Sequence, residues 1–213
     1  MTTTAISAQG TTLKIGASGS AKTITAITKA NPGVFTSTAH GLAAGTVVTL
    51  ASIAGMTEAN GKSGVVIPLT ANTFSIAGLD TTNFSTYTSG GTATPSQVTV
   101  GNLTSVRMPG GQKAELDATN LSSTSKELLA GLRDNGQATV SFHVDQDDAG
   151  QMVLRSSFAA SGNSPSPFTV TLPNGKTRTF NAFCMNYGEP SLGVDGIFTG
   201  SATLRITGDI AYA

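Results

Sequence analysis

Apolar and polar residues alternate with a period of two through much of the C-terminal half of the chain. Between 198 and 210, one parity is apolar (Phe198, Ala202, Leu204, Ile206 and Ile210), and the other is mostly hydroxyl-bearing or charged. This period is typical of a strand with one buried face and one solvated face. The same pattern over 138–144 and 168–172 predicts two further strands, and Thr11 to Ile15 predicts a first strand near the N-terminus.

A hairpin turn is predicted at Asn174-Gly175, because this pair tolerates the positive φ that a tight turn requires. In the strand that follows, Phe180 keeps one phase and the later apolar residues take the other (Phe183, Met185 and Tyr187). A β-bulge near Asn181 would explain the change of phase.

Two segments have the spacing of a short helix. In 121–133, Ser and Thr residues precede Leu128, Leu129 and Leu132, which predicts a helix that docks its leucine ridge on the sheet. Alanine at Leu128 or Leu132 is then expected to cost about 2–4 kcal/mol. A second helix is predicted from Ala149 to Ala160, with Asp147 or Asp148 as its cap.

Residues 22–95 differ in composition and turn spacing from the rest of the chain. They carry few charges, and turn signals such as Asn60-Gly61 separate short apolar pieces. We interpret them as a small β-barrel domain inserted, between linker-like sequences, into a host domain made of residues 1–21 and 96–213. Deletion of 22–95 is expected to leave assembly of the host intact.

The composition indicates a largely neutral surface. The 213 residues include 25 Gly and no Trp, 11% are charged, and the formal net charge is zero. Without basic clusters, the chain is not built to bind nucleic acid by neutralising phosphates. No segment reaches the roughly 18 apolar residues of a membrane helix, and no signal peptide pattern is visible. A neutral β-protein of this kind is expected to associate with copies of itself.

Few residues could carry chemistry, and each has a simpler structural interpretation. His143 falls on the polar side of a strand, and His40 lies in a turn where a bond to the backbone is expected. Cys184, the only cysteine, lies in an apolar strand and is expected to be a small core residue. One cysteine permits no internal disulfide, which fits folding in a reducing compartment.

An acidic loop contains Asp145, Asp147 and Asp148 and superficially resembles a calcium loop. Its fifth position is Ala149 and its twelfth is Ser156, where a calcium loop needs an oxygen ligand and a bidentate Glu. We therefore expect a solvated acidic turn that ends in a helix cap. The sequence predicts no catalytic residue, no cofactor and no metal.

The C-terminal part of the chain resembles the tail tube (major tail) proteins of bacteriophages with long, non-contractile, lambda-like tails. The matching stretches are 113–127 (KAELDATNLSSTSKE), 128–136 (LLAGLRDNG), 140–145, 173–175 and 195–208 (DGIFTGSATLRITG). An Asp followed by small residues and Lys-Glu, and an Asp-Gly before a terminal Thr-Gly strand, recur in that family. The resemblance covers about residues 97 to 210.

The inserted segment resembles the small β-barrel module of ubiquitin-activating enzymes, the FCCH-like fold, which also recurs in phage structural proteins. The matching residues are 30–36 (ANPGVFT), 40–42 (HGL), 55–61 (GMTEANG), Phe74 and 87–91 (YTSGG). This resemblance implies a fold and a phage-like context. It implies no ubiquitin chemistry, because the module is non-catalytic in those enzymes.

Together the resemblances imply a mainly β fold: a tail-tube β-sandwich or barrel with one or two short helices, plus the inserted all-β barrel. They imply a structural virion protein, made in the host bacterial cytoplasm, that assembles into stacked hexameric rings. The expected partners are copies of the chain, the tape measure protein, the tail terminator and tail tip proteins. Viral DNA would pass through the lumen without specific binding, and the insert, too large for that channel, would project outward.

Two alternatives stay open at this point. The chain could be a receptor- or glycan-binding tail component acting through the insert, although only Phe35, Phe74, Phe84 and Tyr87 offer aromatic surface there. It could also be a tail-associated hydrolase, which the lack of paired carboxylates or a histidine-containing triad disfavours.

Overall fold

The computed structural model describes residues 8–160, 164–191 and 196–213. Its strands, in chain order, are β1 (Thr12–Ile15), β2 (Lys22–Thr23), β3 (Ala26–Ile27), β4 (Val34–Thr36), β5 (Val47–Ala54), β6 (Ser63–Pro68), β7 (Thr73–Ile76), β8 (Ser89–Pro95), β9 (Val98–Val100), β10 (Leu103–Arg107), β11 (Gln112–Asp117), β12 (Leu128–Asp134), β13 (Gln137–His143), β14 (Ser166–Thr171), β15 (Thr177–Ser191) and β16 (Thr199–Tyr212). Helix α1 spans Ala149–Ala159, and a short 3-10 helix spans Thr57–Ala59. The prediction of a mainly β fold is confirmed.

Seven antiparallel strands form the main sheet, in the order β10-β13-β16-β15-β14-β1-β9. The long strands β15 and β16 pair with each other along most of their length, and each has a second partner strand over only part of it. β13 pairs with residues 199–205 of β16, whereas β14 pairs with residues 177–182 of β15. The edge strands β9 and β10 are separated only by Gly101 and Asn102, so the two edges meet at this corner. The sheet therefore curls into a nearly closed, barrel-like shape.

The apolar residues of the period-two pattern lie in the core of this sheet. Ala202, Leu204 and Ile206 of β16 are buried, as are the apolar residues of β13 (Ala138, Val140 and Phe142). The strands predicted at these positions are confirmed. Phe198 is the exception, because it precedes β16 and stays half exposed.

The predicted turn is confirmed, but the change of phase lies further along β15 than the predicted position near Asn181. Gly175 has a φ of +81° in the turn between β14 and β15, a conformation that glycine adopts at little cost. The β15–β16 ladder shifts register between Thr179 and Asn181, and again between Cys184 and Asn186. Because Cys184 is still buried and Tyr187 packs against the core, the side chains change face at the second shift.

Helix α1 was predicted from its cap and its apolar spacing, and it is confirmed. Asp148 is the N-cap, and its side chain accepts a hydrogen bond from the backbone N–H of Gln151 at 2.8 Å. Val153 and Leu154 are fully buried in the main core. At Gly150 the helix approaches β9 so closely that a Cβ would overlap the backbone of Thr99 and Val100.

The helix predicted over 121–133 is wrong. Residues Leu128–Asp134 form β12, which pairs antiparallel with β11. Leu128, Leu129 and Leu132 are 49%, 61% and 90% exposed, so they dock no helix on the sheet. Their spacing fits one side of a helix, but a strand containing a bulge produces the same spacing. Pairing with β11, which is distant in sequence, decides the conformation.

Strands β2 to β8 form a second seven-stranded sheet, in the order β2-β8-β5-β6-β7-β4-β3. Its edge strands β2 and β3 are separated only by Ile24 and Thr25, so this sheet also curls until its edges approach each other. It has its own core, in which the rings of Phe35 and Phe74 stack with centroids 5.4 Å apart.

The two sheets contact each other directly, and helix α1 contributes to the contact. Val47 of β5 and Val65 of β6 are buried in the core of the main sheet. The hydroxyl of Ser156 on α1 accepts a hydrogen bond from Val65 N and donates one to Ala77 O, both at 2.9 Å. Because Ser156 is buried, these bonds fix the second sheet against α1.

Candidate functional site: strand edges and a hairpin arm

Four strands form one half of the main sheet: β10, β13, the N-terminal half of β16, and β15 after Ala182. β10 pairs with β13 on one side, and within the described ranges no strand pairs with its other side. The ladder between β14 and β15 stops at Ala182, whereas β15 continues along β16 as far as Ser191. This four-stranded half-sheet therefore ends in two strand edges that could accept a further strand.

One face of the half-sheet packs on the core, and the opposite face is rich in hydroxyl groups. By the register of the ladders, it carries Ser105, Thr139, Ser141, Ser201 and Thr203; we call it the hydroxyl face. Arg107, His143 and Arg205 share this face, and the guanidinium of Arg205 lies 2.6 Å from the carboxylate of Asp134. Hydroxyl groups therefore outnumber charged groups on this face, to which Arg107 adds a positive charge.

An apolar groove borders the edge of β15 just after Ala182. Its volume is about 420 Å³, and Phe158, Phe183 and Met185 line it together with polar side chains that include Ser157, Ser166 and Arg205. Phe158 and Met185 are 49% and 58% exposed. Half-exposed apolar side chains beside an open strand edge are typical of a surface that another protein chain covers.

A hairpin arm, residues 108–136, extends the β10–β13 pair beyond the sheet. It consists of β11, β12 and their connection, and nearly all of its residues are exposed. An isolated two-stranded hairpin is only marginally stable in water. The arm is therefore expected to gain stability when it contacts another surface.

The two faces of the hairpin arm differ in chemistry. Leu116 pairs with Leu129 across the strands, and Ala114 lies on the same side of β11. A Cβ at Gly131 would contact Ala114 and Leu116, so Gly131 belongs to this side too. We call it the leucine face. The opposite side carries mostly charged residues (Lys113, Glu115, Asp117 and Arg133) together with Leu128 and Ala130.

The acidic loop forms local hydrogen bonds. Asp148 Oδ1 accepts from Gln151 N and, at 3.1 Å, from Gly101 N. Asp145 Oδ1 accepts from the backbone N–H of Asp147 at 3.1 Å. This is the geometry of a turn leading into a helix cap, and the described residues contain no group of three or more His, Cys, Asp or Glu placed to hold a metal ion.

The remaining polar candidates have structural surroundings. His40 is buried; its Nδ1 accepts from Leu42 N at 3.0 Å, which leaves Nε2 to donate towards Thr70 O at 3.1 Å. His143 lies at the end of β13 on the hydroxyl face. Burial raises the pKa of the Cys184 thiol to about 11, which leaves almost no thiolate at neutral pH.

The second sheet presents little aromatic surface. Phe35 and Phe74 are fully buried, and Phe84 and Tyr87 pack against the same core. The hydroxyl of Tyr87 donates to the backbone at Ile24 O and Gly90 O. Glycan sites commonly use exposed rings as stacking platforms, and these four residues do not provide one.

Strand edges, an apolar groove and a two-faced arm together define a β-rich structural protein with surfaces suited to contacts between copies. Within the described ranges, no helix is long and apolar enough to cross a membrane.

Comparison with known proteins gives two family matches. Residues 77–212 match the lambda-like phage tail tube family, and residues 31–97 match the FCCH domain of ubiquitin-activating enzyme E1. The first match covers more than half of the chain. The chain therefore belongs to the lambda-like phage tail tube family, and it is a structural tail tube protein.

Several solved structures are similar to part of the chain. A chain of the anti-feeding prophage baseplate matches with TM-score 0.45 and 11% identity over 56% of this chain and 85% of that one. A chain of the native gene transfer agent virion matches with TM-score 0.45 and 19% identity over 55% and 88%. A chain of an extracellular contractile injection system sheath–tube complex matches with TM-score 0.44 and 15% identity over 52% and 80%. Comparison with curated proteins gives no match.

Proposed function

We propose that copies of this chain join edge to edge into rings, with β10 of one copy pairing with β15 after Ala182 in the next. The observation that carries the proposal is the four-stranded half-sheet with a strand edge at each end. Pairing of this kind is heterologous, because two different edges of the molecule meet, and it closes into a ring when the rotation between copies allows. The apolar groove beside β15 would be covered by the incoming copy.

The size of the resulting ring fits a DNA conduit. Six copies, the number that the family resemblance implies, contribute about 24 strands, which at about 4.8 Å spacing and 40° tilt form a barrel about 45 Å across. Side chains leave a channel of roughly 30 Å or more, wider than a DNA duplex. The hydroxyl face would line this channel, since the other face packs on the core. A largely neutral lining lets a polyanion slide without being held.

Rings would stack through the hairpin arm, with the leucine face of one copy buried on a copy in the next ring. Such a contact joins different surfaces of the molecule and does not close, so it propagates into an open tube. We assign no catalytic activity, cofactor or metal to the chain.

Residues 22–95 would form an inserted domain on the outside of the tube. This proposal is supported by Val65, which is buried in the main core and bonds to Ser156 of α1, because that core lies against the face of the half-sheet opposite the hydroxyl face. The tube would be part of the virion tail, synthesised in the host cytoplasm. By family resemblance, the tape measure, terminator and tail tip proteins would bind to the tube, and its DNA contacts would be non-specific.

The test is electron microscopy of the purified protein, combined with hydrogen–deuterium exchange of its monomeric and polymeric forms. We expect stacked six-fold rings, and slower amide exchange in β10 and in β15 after Ala182 upon assembly. β1 and β14 serve as the internal control, because they are paired on both sides in the monomer. A chain that stays monomeric at high concentration, or polymers with unchanged exchange in β10, would overturn the proposal.

A further inference from the structure

The hairpin arm is joined to the main sheet at a root formed by Asp134, Asn135 and Gly136. Asp134 is the last residue of β12, and Asn135 and Gly136 connect it to β13. Gly136 O accepts a hydrogen bond from Ile206 N at 3.1 Å, which continues the β13–β16 ladder up to the root. The backbone therefore runs directly from the arm into the half-sheet.

Two consecutive side chains of the root bond to β16. Asp134 Oδ2 accepts from Arg205 Nη2 at 2.6 Å, and Asn135 Nδ2 donates to Gly208 O at 2.7 Å. The partners are 71 and 73 residues away in sequence, so the bonds form only in the folded chain. Asn135 is only 4% exposed, which is unusual for an amide side chain outside a core.

The carboxylate of Asp134 is also held from the arm's own backbone. Its Oδ1 accepts from Gly136 N at 2.8 Å, so the carboxylate bridges the root backbone and Arg205. The bond from Gly136, followed by the bond from Arg205, lowers the pKa of Asp134, so the carboxylate stays charged at neutral pH. A charged hydrogen bond is shorter and stronger than a neutral one.

We infer that Arg205 and Asn135 are positioning residues, which hold the hairpin arm at a fixed angle to the half-sheet so that its leucine face is presented ready for the next ring. The inference rests on the proposed role of the arm in stacking. A hinge without these bonds would let the arm sample many directions, and assembly would then have to restrict this motion at an entropic cost. The bonds link the arm to β16, a strand of the proposed ring wall.

The first measurement is made on the monomer and does not depend on stacking. Spin labels at Ser125→Cys in the arm and Lys176→Cys in the body, in a Cys184→Ser background, report the arm-to-body distance distribution. We expect a narrow distribution in the parent and a broader one in Arg205→Gln and Asn135→Ala. Arg205→Lys, which keeps the charge, should narrow it again. Arg133→Gln is the matched control, an exposed arginine of the arm beside the root.

The second measurement is the protein concentration at which polymers appear, followed by sedimentation. We expect Arg205→Gln and Asn135→Ala to raise this threshold by about tenfold or more, and Arg133→Gln to leave it unchanged. Thermal unfolding of each monomer checks that the body is folded. An unchanged distance distribution would overturn the inference whether or not tubes form. A broader distribution with an unchanged threshold would show that the arm angle does not govern assembly. Failure of the parent to form rings would instead contradict the proposed function.

Discussion

The leucine face of the hairpin arm allows a sharp test of the stacking contact. The change is the double substitution Leu116→Ser and Leu129→Ser, which makes this face polar while keeping the strand pair. Both side chains are more than half exposed in the single chain, at 54% and 61%. They therefore contribute little to the free energy of unfolding of the monomer, and we expect a change below about 0.5 kcal/mol.

The expected effect on assembly follows from the area that is still exposed. Full burial of a leucine contributes about 1.5–3 kcal/mol, so burying the remaining half of two leucines contributes roughly 2–3 kcal/mol per arm. Losing this contribution should raise the concentration at which tubes form by roughly 30- to 150-fold. Sedimentation and electron microscopy over a dilution series measure the threshold, and circular dichroism follows monomer unfolding.

Leu128 provides the matched control, because it neighbours Leu129 but lies on the charged side of the arm, opposite Asp117. Leu128→Ser makes the same chemical change at a similar exposure, 49%. It should shift the threshold by less than about threefold if only the leucine face is buried in the tube. Equal effects of the two substitutions, or no effect of the double one, would refute the assignment of the leucine face to the contact.

Three further outcomes are expected. Deletion of 22–95 should lower the unfolding free energy of the remaining chain by about 4–6 kcal/mol, because the main core loses Val47 and Val65 and Ser156 loses both of its hydrogen-bond partners. A denaturant titration measures this change, and an unchanged unfolding midpoint would contradict it. Cys184, with its pKa raised to about 11, should react with a thiol reagent at neutral pH at least about 100-fold more slowly in the folded chain than in denaturant, and rapid labelling of the folded chain would argue against the buried position. The pKa of Asp134 is lowered in the folded chain. Its carboxylate therefore stabilises the arm root fully above the ordinary Asp pKa of about 3.9, and this stabilisation is lost as the pH falls through the pKa of the folded chain. The arm-to-body distance distribution should stay constant from about pH 5 to 8 and broaden only below about pH 4.

The loss of stability expected on deletion of 22–95 could not be predicted from the sequence. Linker-like residues on both sides of 22–95 indicated an inserted domain whose deletion would leave assembly of the host intact. The structure instead buries Val47 and Val65 in the main core and joins α1 to the second sheet through Ser156. Hydrophobic contacts between segments so far apart in sequence leave no local pattern from which they could be predicted.

Local patterns were sufficient for the elements whose conformation is set by their own residues. The period-two alternation predicted β13, β14 and β16, Asn174-Gly175 predicted the turn, and the capping residues before Ala149 predicted α1. Each signal depends on neighbouring residues alone: side-chain alternation, backbone freedom at glycine, or a bond from a side chain to a nearby N–H.

The tertiary structure decided the features on which the proposed assembly depends. Leu128, Leu129 and Leu132 have a spacing that suits a helix, and only pairing with β11 makes their segment a strand with leucines on both faces. Two other features likewise depend on residues far apart in the chain. They are the end of the pairing between β14 and β15 and the bonds of Asp134 and Asn135 to β16. The sequence by itself determined the alternating strands, the turn at Asn174-Gly175 and the capped helix α1, because these depend on nearby residues. Which edges stay open and which faces stay exposed depends on long-range pairing, which only the folded chain defines.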